Sequence, residues 1–175
     1  MESYIFFCSH DPTKYEKHKN RAVFSQWYIS PFEGTLNVVN SVYNINAILG
    51  EFADLVHSKK FCCCEQWMMA MKALMFAKGN NLHENMAIFD KIMASSDPAE
   101  MKNLGKTLVG LDQQTWDEWK YKIVVNGNFF KFSQNGYLKD ILIDSHNNTL
   151  VEAAHYDRTW GIGYTESDAL QNKQT

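Results

Sequence analysis

A carboxylate and an amine within one apolar segment are the residues best suited to chemistry in this sequence. Glu65 and Lys72 are the charged residues of segment 65–77 and lie seven positions apart. Seven residues are close to two turns of an α-helix, so both side chains would project from one face with about 10 Å of rise between them. Ions are rarely kept in an apolar environment unless they have partners or face a polar cavity. Acid–base and nucleophilic catalysis use carboxylates and amines held in such cavities.

The same pair also has a purely structural explanation, and the spacing leaves both explanations open. Glu65 would begin the helix, where the helix dipole favours a negative charge. Lys72 would extend its ammonium group to water past an apolar stem. The other side chains of the segment are mostly Met, Leu, Phe and Trp and point in all directions around the predicted helix. That pattern is typical of a helix at the centre of a protein.

A second group of polar and aromatic residues lies near the C-terminus. Trp160 stands beside Gly161 and close to Gly163. The ring would offer a flat face to a ligand, and glycines let the backbone approach it closely. Asp157 adds a carboxylate, and Arg158 adds a guanidinium group that suits phosphate. A surface turn with a packed tryptophan explains the same residues, and a lone G-x-G lacks the third glycine and the strand context of a dinucleotide-binding fingerprint.

A third group is the polar stretch KFSQN at 131–135, which is predicted to precede a helix. The N-terminus of a helix suits an anion or the amide edge of a base, because backbone N–H groups point outward there. Capping of the helix by Ser133 or Asn135 explains the stretch without a ligand.

Helical signals dominate the rest of the chain and predict the elements that hold these groups. The start of one helix is clearly marked in the sequence. Asp97 is a capping residue, Pro98 takes the first helical position, and Glu100 is an acid at the third. Helices are predicted at 45–56, 65–77, 84–94 (with Met86, Phe89 and Met93 on its buried stripe), 98–108, after Asp112 through Ile123, and after Asn135. Extended segments are predicted at 5–8, 23–29 and 149–153, with a turn at 30–34. The expected fold is α+β, a predominantly helical single domain with a small β-sheet.

Composition and charge exclude several classes of protein. A hydrophobic fraction of 45% and a charged fraction of 21% are typical of a globular chain rather than a disordered one. The net charge of −3 argues against a general phosphate-backbone binder. No apolar run is long enough for a membrane span, and the start lacks the pattern of a secretory signal. The 4 cysteines and 6 histidines lack metal-ligand spacing, so we expect free thiols, an intracellular, cytoplasmic protein and no zinc site.

Several motifs in a fixed order resemble the NADAR family, also called YbiA-like. These motifs are FSQWY (24–28), SPF (30–32), EQWMMAMKA (65–73), PAEMKNLG (98–105), KFSQN (131–135) and LVEAAHYDRTWGIG (150–163). We therefore expect one NADAR domain over residues 1–175, with its core at about 24–163. The chain departs from the family pattern at Gln66, where many relatives have His, near His155, where many have Pro, and in the longer segment 35–60.

The resemblance implies hydrolysis of N-glycosidic bonds between ribose and a base nitrogen. The main expectation is removal of ADP-ribose from guanine, on a nucleotide or at the end of a nucleic acid. One alternative is cleavage of phosphoribosyl-amino-pyrimidine intermediates of riboflavin synthesis. A second is a non-catalytic module that binds ADP-ribose or NAD. No cofactor and no membrane partner are expected, and a monomer is the default oligomeric state.

The resemblance also implies the site residues. The catalytic candidates are Glu65, Lys72 and Asp157, and their individual roles stay open between acid, base and nucleophile. The substrate-binding candidates are Phe32, Trp67, Lys131, Gln134, Asn135, Arg158, Trp160, Gly161 and Gly163.

Overall fold

In the computed structural model the chain forms two structural units. One unit is built from two separate stretches of the chain, and the other is the continuous segment between them. The structure describes residues 3–15, 18–35 and 41–172. The first unit combines residues up to Tyr28 with residues from Tyr137 onward, and the second is the continuous segment Ile29–Gly136.

The Ile29–Gly136 unit is built around one central helix. Helix α3 is apolar on all sides, and each of its residues except Lys72 is buried. It packs against α4, α5 and α6, which explains why no face of it is polar. The helices of this unit are α1 (Asn46–Leu49), α2 (Ala53–Val56), α3 (Cys64–Phe76), α4 (Leu82–Ala94), α5 (Pro98–Lys106) and α6 (Gln113–Gln134). Its strands β2 (Phe32–Glu33) and β3 (Lys60–Phe61) pair in antiparallel fashion.

Side-chain caps begin two of these helices where the sequence predicts. Asp97 accepts a hydrogen bond from the backbone N–H of Ala99 at 2.9 Å, and Pro98 takes the first helical position. Asp112 accepts one from the N–H of Thr115 at 2.9 Å. These bonds satisfy N–H groups that have no partner inside the helix.

Three local predictions for this unit are corrected by the structure. The segment 30–34 contains strand β2 rather than only a turn. The predicted helix at 45–56 is two short helices separated by a 3-10 turn, because Gly50 has a left-handed φ of +54°. The buried stripe of α4 is rotated from the predicted one, since Met86 and Met93 are only half-buried. Its buried residues are Asn85, Ile88, Phe89 and Ile92.

The other unit joins distant parts of the chain. Strand β1 (Tyr4–Phe7) pairs in parallel with β4 (Thr149–Glu152), as the predicted small sheet requires. The unit also contains 3-10 turns at Pro12–Lys14 and Lys19–Phe24, and helices α7 (Gly136–Asp144) and α8 (Glu166–Asn172). The strand predicted at 23–29 is wrong. Val23 and Phe24 end a 3-10 turn, and the hydroxyl of Ser25 accepts a hydrogen bond from the N–H of Trp27 and turns the chain.

The predominantly helical α+β fold with small sheets is confirmed. Among the residues that the structure describes, the helices are too short or too polar to span a membrane.

Candidate active site

Glu65 and Lys72 act on each other along α3. Glu65 lies in the first turn and is only 3% exposed, while Lys72 is half-buried two turns later. Burial lowers the pKa of Lys72, and the Glu65 carboxylate opposes part of that shift. The two groups are therefore within electrostatic reach of each other, as two groups on one helix face should be.

Lys72 has partners inside the protein. Its ammonium group donates a hydrogen bond to the carbonyl of Gly105 at 3.1 Å and lies 5.1 Å from the centre of the Trp116 ring. The alternative in which Lys72 only extends to water does not account for these contacts, because they come from two different helices, α5 and α6.

Lys131 is a fully buried amine near the junction of two helices. Helix α7 begins at Gly136, as predicted, but α6 continues to Gln134, so Lys131 also lies in a last helical turn. Its exposure is 0%, so its ammonium group is enclosed by protein instead of being open to a phosphate. Burial lowers the pKa of Lys131, and the thiols of Cys64 and Cys63 oppose that shift.

Cys64 connects this buried amine to the start of α3. Burial raises the pKa of the Cys64 thiol to about 11, while Lys131 lowers it and Glu65 raises it further. The same thiol donates a weak hydrogen bond to the side-chain oxygen of Asn128 at 3.8 Å. Glu65 and Lys131 therefore both lie within electrostatic range of one buried thiol, and the first turn of α3 has a polar surrounding that the composition does not suggest.

Gln134 and Asn135 have structural partners at the end of α6. The Gln134 amide donates to the carbonyl of Glu33 and accepts from its N–H, both at 2.8 Å, as a neighbouring strand would. The Asn135 amide donates to the carbonyls of Lys131 at 2.8 Å and Pro31 at 3.2 Å. These bonds attach the end of α6 to strand β2. A contact with a ligand stays a prediction for both residues.

Trp67 and Phe32, expected to bind substrate, are core residues. Trp67 has an exposure of 0%, and its ring N–H donates to the carbonyl of Ile123 at 2.8 Å. Phe32 is 3% exposed and packs against the Trp67 ring with 6.3 Å between centroids. The correction has a simple cause, since an aromatic side chain on a helix or a strand fills a core as readily as it lines a site.

Asp157 organises the loop of the tail. One oxygen of its carboxylate accepts hydrogen bonds from the N–H groups of Thr159 at 2.8 Å and Trp160 at 2.9 Å. The backbone N–H of Ile162 then donates to the carbonyl of Glu152 at 2.9 Å, which returns the loop to the end of β4. The loop is irregular, as predicted, and Asp157 holds the half-buried Trp160 by its backbone.

Glycine is required at position 161 because the backbone is crowded there. A Cβ atom would lie 2.9 Å from the carbonyl oxygen of Asp157 and 3.1 Å from that of Glu152. Gly163 has a left-handed φ of +73°, and a Cβ there would lie 3.0 Å from Cγ of Arg158. The two glycines therefore shape the loop that carries Trp160.

We expect Gly161→Ala to displace this loop without unfolding the protein, because the methyl group would meet backbone oxygens that cannot rotate away. The affinity for ADP-ribosylated guanosine, the expected ligand, should fall by roughly tenfold, which corresponds to about 1.4 kcal/mol of binding free energy, with a melting temperature close to that of the original protein. Gly136→Ala is the matched control, since a Cβ at that position meets nothing within 4 Å. Equal ligand affinity in the two variants, measured by calorimetry, would contradict the expectation.

The candidate residues fall into two groups, one in each unit. Glu65, Lys72 and Lys131 belong to the Ile29–Gly136 unit, whereas Asp157 and Trp160 belong to the other. Convergence of the two groups on one cavity stays a prediction. Sequence reasoning missed the partners Gly105, Trp116 and Cys64, whose types are ordinary in a core and whose spacing from Lys72 or Lys131 carries no signal. Within residues 3–15, 18–35 and 41–172, no three His, Cys, Asp or Glu side chains are grouped as metal ligands.

The chain is similar in sequence to two named proteins. An N-glycosidase, R617, of Acanthamoeba polyphaga mimivirus is 36% identical over 172 residues, covering 97% of this chain and 83% of the viral protein. Protein irg-1 of Caenorhabditis elegans is 31% identical over 148 residues, which cover 83% of this chain and 63% of the nematode protein.

The fold has a solved counterpart, and a family profile covers both units. The NMR structure of the Escherichia coli protein YbiA superimposes with a TM-score of 0.61 at 18% identity, covering 93% of this chain and 74% of YbiA. The profile of the NADAR domain matches residues 7–175. The chain belongs to the NADAR domain family.

Proposed function

We propose that this protein is an N-glycosidase that removes ADP-ribose from guanine bases. The observation that carries the proposal is the placement of buried Glu65 and half-buried Lys72 two turns apart on the central helix α3, in a chain 36% identical to a viral relative named an N-glycosidase. The choice of ADP-ribosylated guanine draws on the family resemblance and on the tail loop. In that loop, Trp160 offers a ring for a base, and Arg158 offers an exposed guanidinium group for a phosphate.

Cleavage of the bond between C1′ and the base nitrogen builds positive charge on the ribose. A carboxylate near C1′ stabilises that charge or deprotonates the attacking water, and a second acid gives a proton to the leaving nitrogen. We assign these two roles to Glu65 and Asp157. Water adds to C1′ and gives up one proton, to the carboxylate where that group acts as the base, and the nucleobase leaves with the proton donated by the acid. Transfer of the water-derived proton to the acid through solvent then restores both groups.

The amine of Lys72 has one of two roles in this scheme. As an ammonium ion, it would bind a ribose hydroxyl or a phosphate. As a neutral amine, it would attack C1′ while the base departs, and water would then release the sugar. Burial favours the neutral form by lowering the pKa of Lys72. A ribose adduct on Lys72, detected by intact-mass spectrometry during turnover, would favour attack.

One experiment separates the candidate functions. The protein is incubated with ADP-ribosylated guanosine and, separately, with a phosphoribosyl-amino-pyrimidine, and the free base is measured by chromatography. We expect release of guanine from the first substrate. Release from the second alone would favour the riboflavin branch, and binding of ADP-ribose without release of either base would favour a non-catalytic module.

Trp160→Ala should weaken ligand binding if the ring stacks on a base. Stacking on an aromatic side chain contributes about 1–3 kcal/mol, which corresponds to a roughly 5- to 150-fold rise in Kd. Affinity for ADP-ribosylated guanosine is measured in a Glu65→Gln background, so that turnover does not consume the ligand. Tyr156→Ala is the matched control, because Tyr156 is an aromatic residue of the same loop and is 72% exposed. A Kd unchanged by loss of Trp160 would count against the stacking platform.

A further inference from the structure

Two groups that take no part in the proposed chemistry hold the amine of Lys72. The carbonyl oxygen of Gly105 lies 3.1 Å from Nζ, and the Trp116 ring centre lies 5.1 Å from it. The carbonyl comes from the end of α5 and the ring from the start of α6. Three helices thus meet at this one atom, since Lys72 belongs to α3.

Gly105 is placed so that its carbonyl can reach Nζ. It is the residue before the last in α5 (Pro98–Lys106) and is buried. The last carbonyls of a helix have no partner within the helix and carry the negative end of its dipole, so they favour a cation. A Cβ at position 105 would lie 2.1 Å from the sulfur of Met69 on α3. The absence of a side chain therefore lets α5 approach α3 closely enough for the contact.

Trp116 presents an indole face to the same amine. It is only 8% exposed, so little water competes for the ammonium group on that side. Tryptophan is the best aromatic acceptor of a cation, and the attraction grows as water is removed. Asp112 holds the first turn of α6, since its carbonyl accepts the N–H of Trp116 at 3.0 Å. The Trp116 ring is therefore attached to the capped start of a helix, which fixes the position of its backbone more firmly than a loop would.

We propose that Trp116 and the Gly105 carbonyl form a cradle that positions the amine of Lys72 for the glycosidase reaction. The proposal rests on the proposed function, in which Lys72 acts on the ribose. Trp116 is a positioning residue, because it acts through Lys72.

The cradle also biases the charge of the amine. Both of its groups favour the ammonium form, and so does the carboxylate of Glu65 on α3, whereas burial favours the neutral form. The groups facing the amine are thus a carboxylate from α3, a carbonyl dipole from α5 and an aromatic ring from α6. Removal of the ring should lower the pKa of Lys72 and leave the side chain free to change rotamer.

The test compares Trp116→Leu and Trp116→Phe with Trp119→Leu. Trp119 is a matched control on the same helix. Its ring contacts a different amine, since Nζ of Lys122 lies 4.0 Å from the ring centroid. Each protein is labelled with ¹³C at lysine Cε, and the Lys72 signal is assigned by its loss in Lys72→Met. The titration midpoint of Lys72 and the pH profile of kcat are then measured.

We expect the Lys72 midpoint to fall by about 0.4 to 1.5 pH units in Trp116→Leu, by less in Trp116→Phe and not at all in Trp119→Leu. The limb of the kcat profile that reports Lys72 should move in the same direction, with a smaller change in KM. If Trp116→Leu does not fold, Trp116→Phe carries the test, and its midpoint should still fall. An unchanged midpoint in a folded Trp116 variant would overturn the cradle.

The outcome for the cradle is separate from that for the proposed function. The titration needs no substrate, so it tests the cradle even if neither glycosidic substrate is cleaved. Conversely, the protein could cleave ADP-ribosylated guanosine while the Lys72 titration midpoint is unchanged in the Trp116 variants. That result would support the proposed function and contradict the cradle.

Discussion

Glu65→Gln is expected to abolish most glycosidase activity while the fold is retained. A general acid or base contributes about 10²- to 10⁴-fold to a rate, and the amide can neither take up nor release the required proton. The substitution keeps the size of the side chain, so the packing around α3 should be preserved. It also removes the carboxylate that raises the pKa of Lys72, which should therefore fall. Turnover of ADP-ribosylated guanosine and the melting temperature are measured together.

The control for this variant is Glu84→Gln. Glu84 is the acidic residue in the first turn of α4, as Glu65 is in the first turn of α3, but Glu84 is exposed. A loss of helix-dipole stabilisation would therefore appear in both variants, and a loss of catalysis only in the first. Near-normal turnover by Glu65→Gln would rule out a catalytic role for Glu65.

Trp67→Ala is expected to lower the free energy of unfolding by about 3–5 kcal/mol, the range for a fully buried large aromatic residue. The ring packs edge-on against Phe61 and Phe130, with centroids 5.1 and 5.3 Å away. Its loss would also leave the buried carbonyl of Ile123 without its donor. Denaturant unfolding, followed by circular dichroism, measures the change.

A second variant probes the same aromatic cluster from the other side. At position 127 on α6, a Cβ would lie 2.5 Å from Cδ1 of Trp67, so Gly127→Ala should destabilise by overpacking, typically by about 1–3 kcal/mol. The half-buried Trp160 serves as control, because truncation of a partly exposed loop residue should cost less free energy of unfolding than truncation of a fully buried one. If Trp67→Ala and Trp160→Ala destabilised the protein equally, the distinction between core and loop tryptophans would be wrong.

The parts of the fold that could be predicted are those specified by neighbouring residues. Asp97 and Asp112 begin helices because each side chain caps the N–H groups two or three residues ahead. Helix α3 could be recognised because a segment without a polar face has to be surrounded on all sides. Strand β4 (Thr149–Glu152) follows from β-branched and apolar residues after a helix.

The parts that could not be predicted depend on distant partners. Val23 is β-branched but lies in a 3-10 turn, because tertiary packing buries it regardless of its propensity. The sequence indicates the helix that begins at Gly136, but it does not indicate that Lys131 already lies in the last turn of α6, which ends at Gln134. Nothing near Lys72 in the sequence indicates that Trp116 would lie against it, since they meet only when α3 and α6 pack.

The candidate site was accessible to sequence reasoning only in part, for the same reason. Charged residues in an apolar helix are conspicuous, so the sequence indicates Glu65 and Lys72 as two groups on one helix face that could share a cavity. Aromatic residues are not conspicuous in that way. The same side chain has three roles here: Trp67 is a core residue, Trp116 is the partner of an amine, and Trp160 is a loop residue. Only burial and contacts distinguish these roles.

The parallel pairing of β1 with β4 has a consequence for biosynthesis. Tyr4 lies opposite Thr149, so β1 cannot pair with β4 until residue 149 has been translated. The continuous Ile29–Gly136 segment can collapse on its own during that interval. Such long-range closure is slow, and an unpaired strand edge is prone to aggregation. A nascent chain that stalls after residue 136 but before residue 149 would therefore carry the complete Ile29–Gly136 segment and an unpaired β1, and we expect it to aggregate more readily than the complete fold.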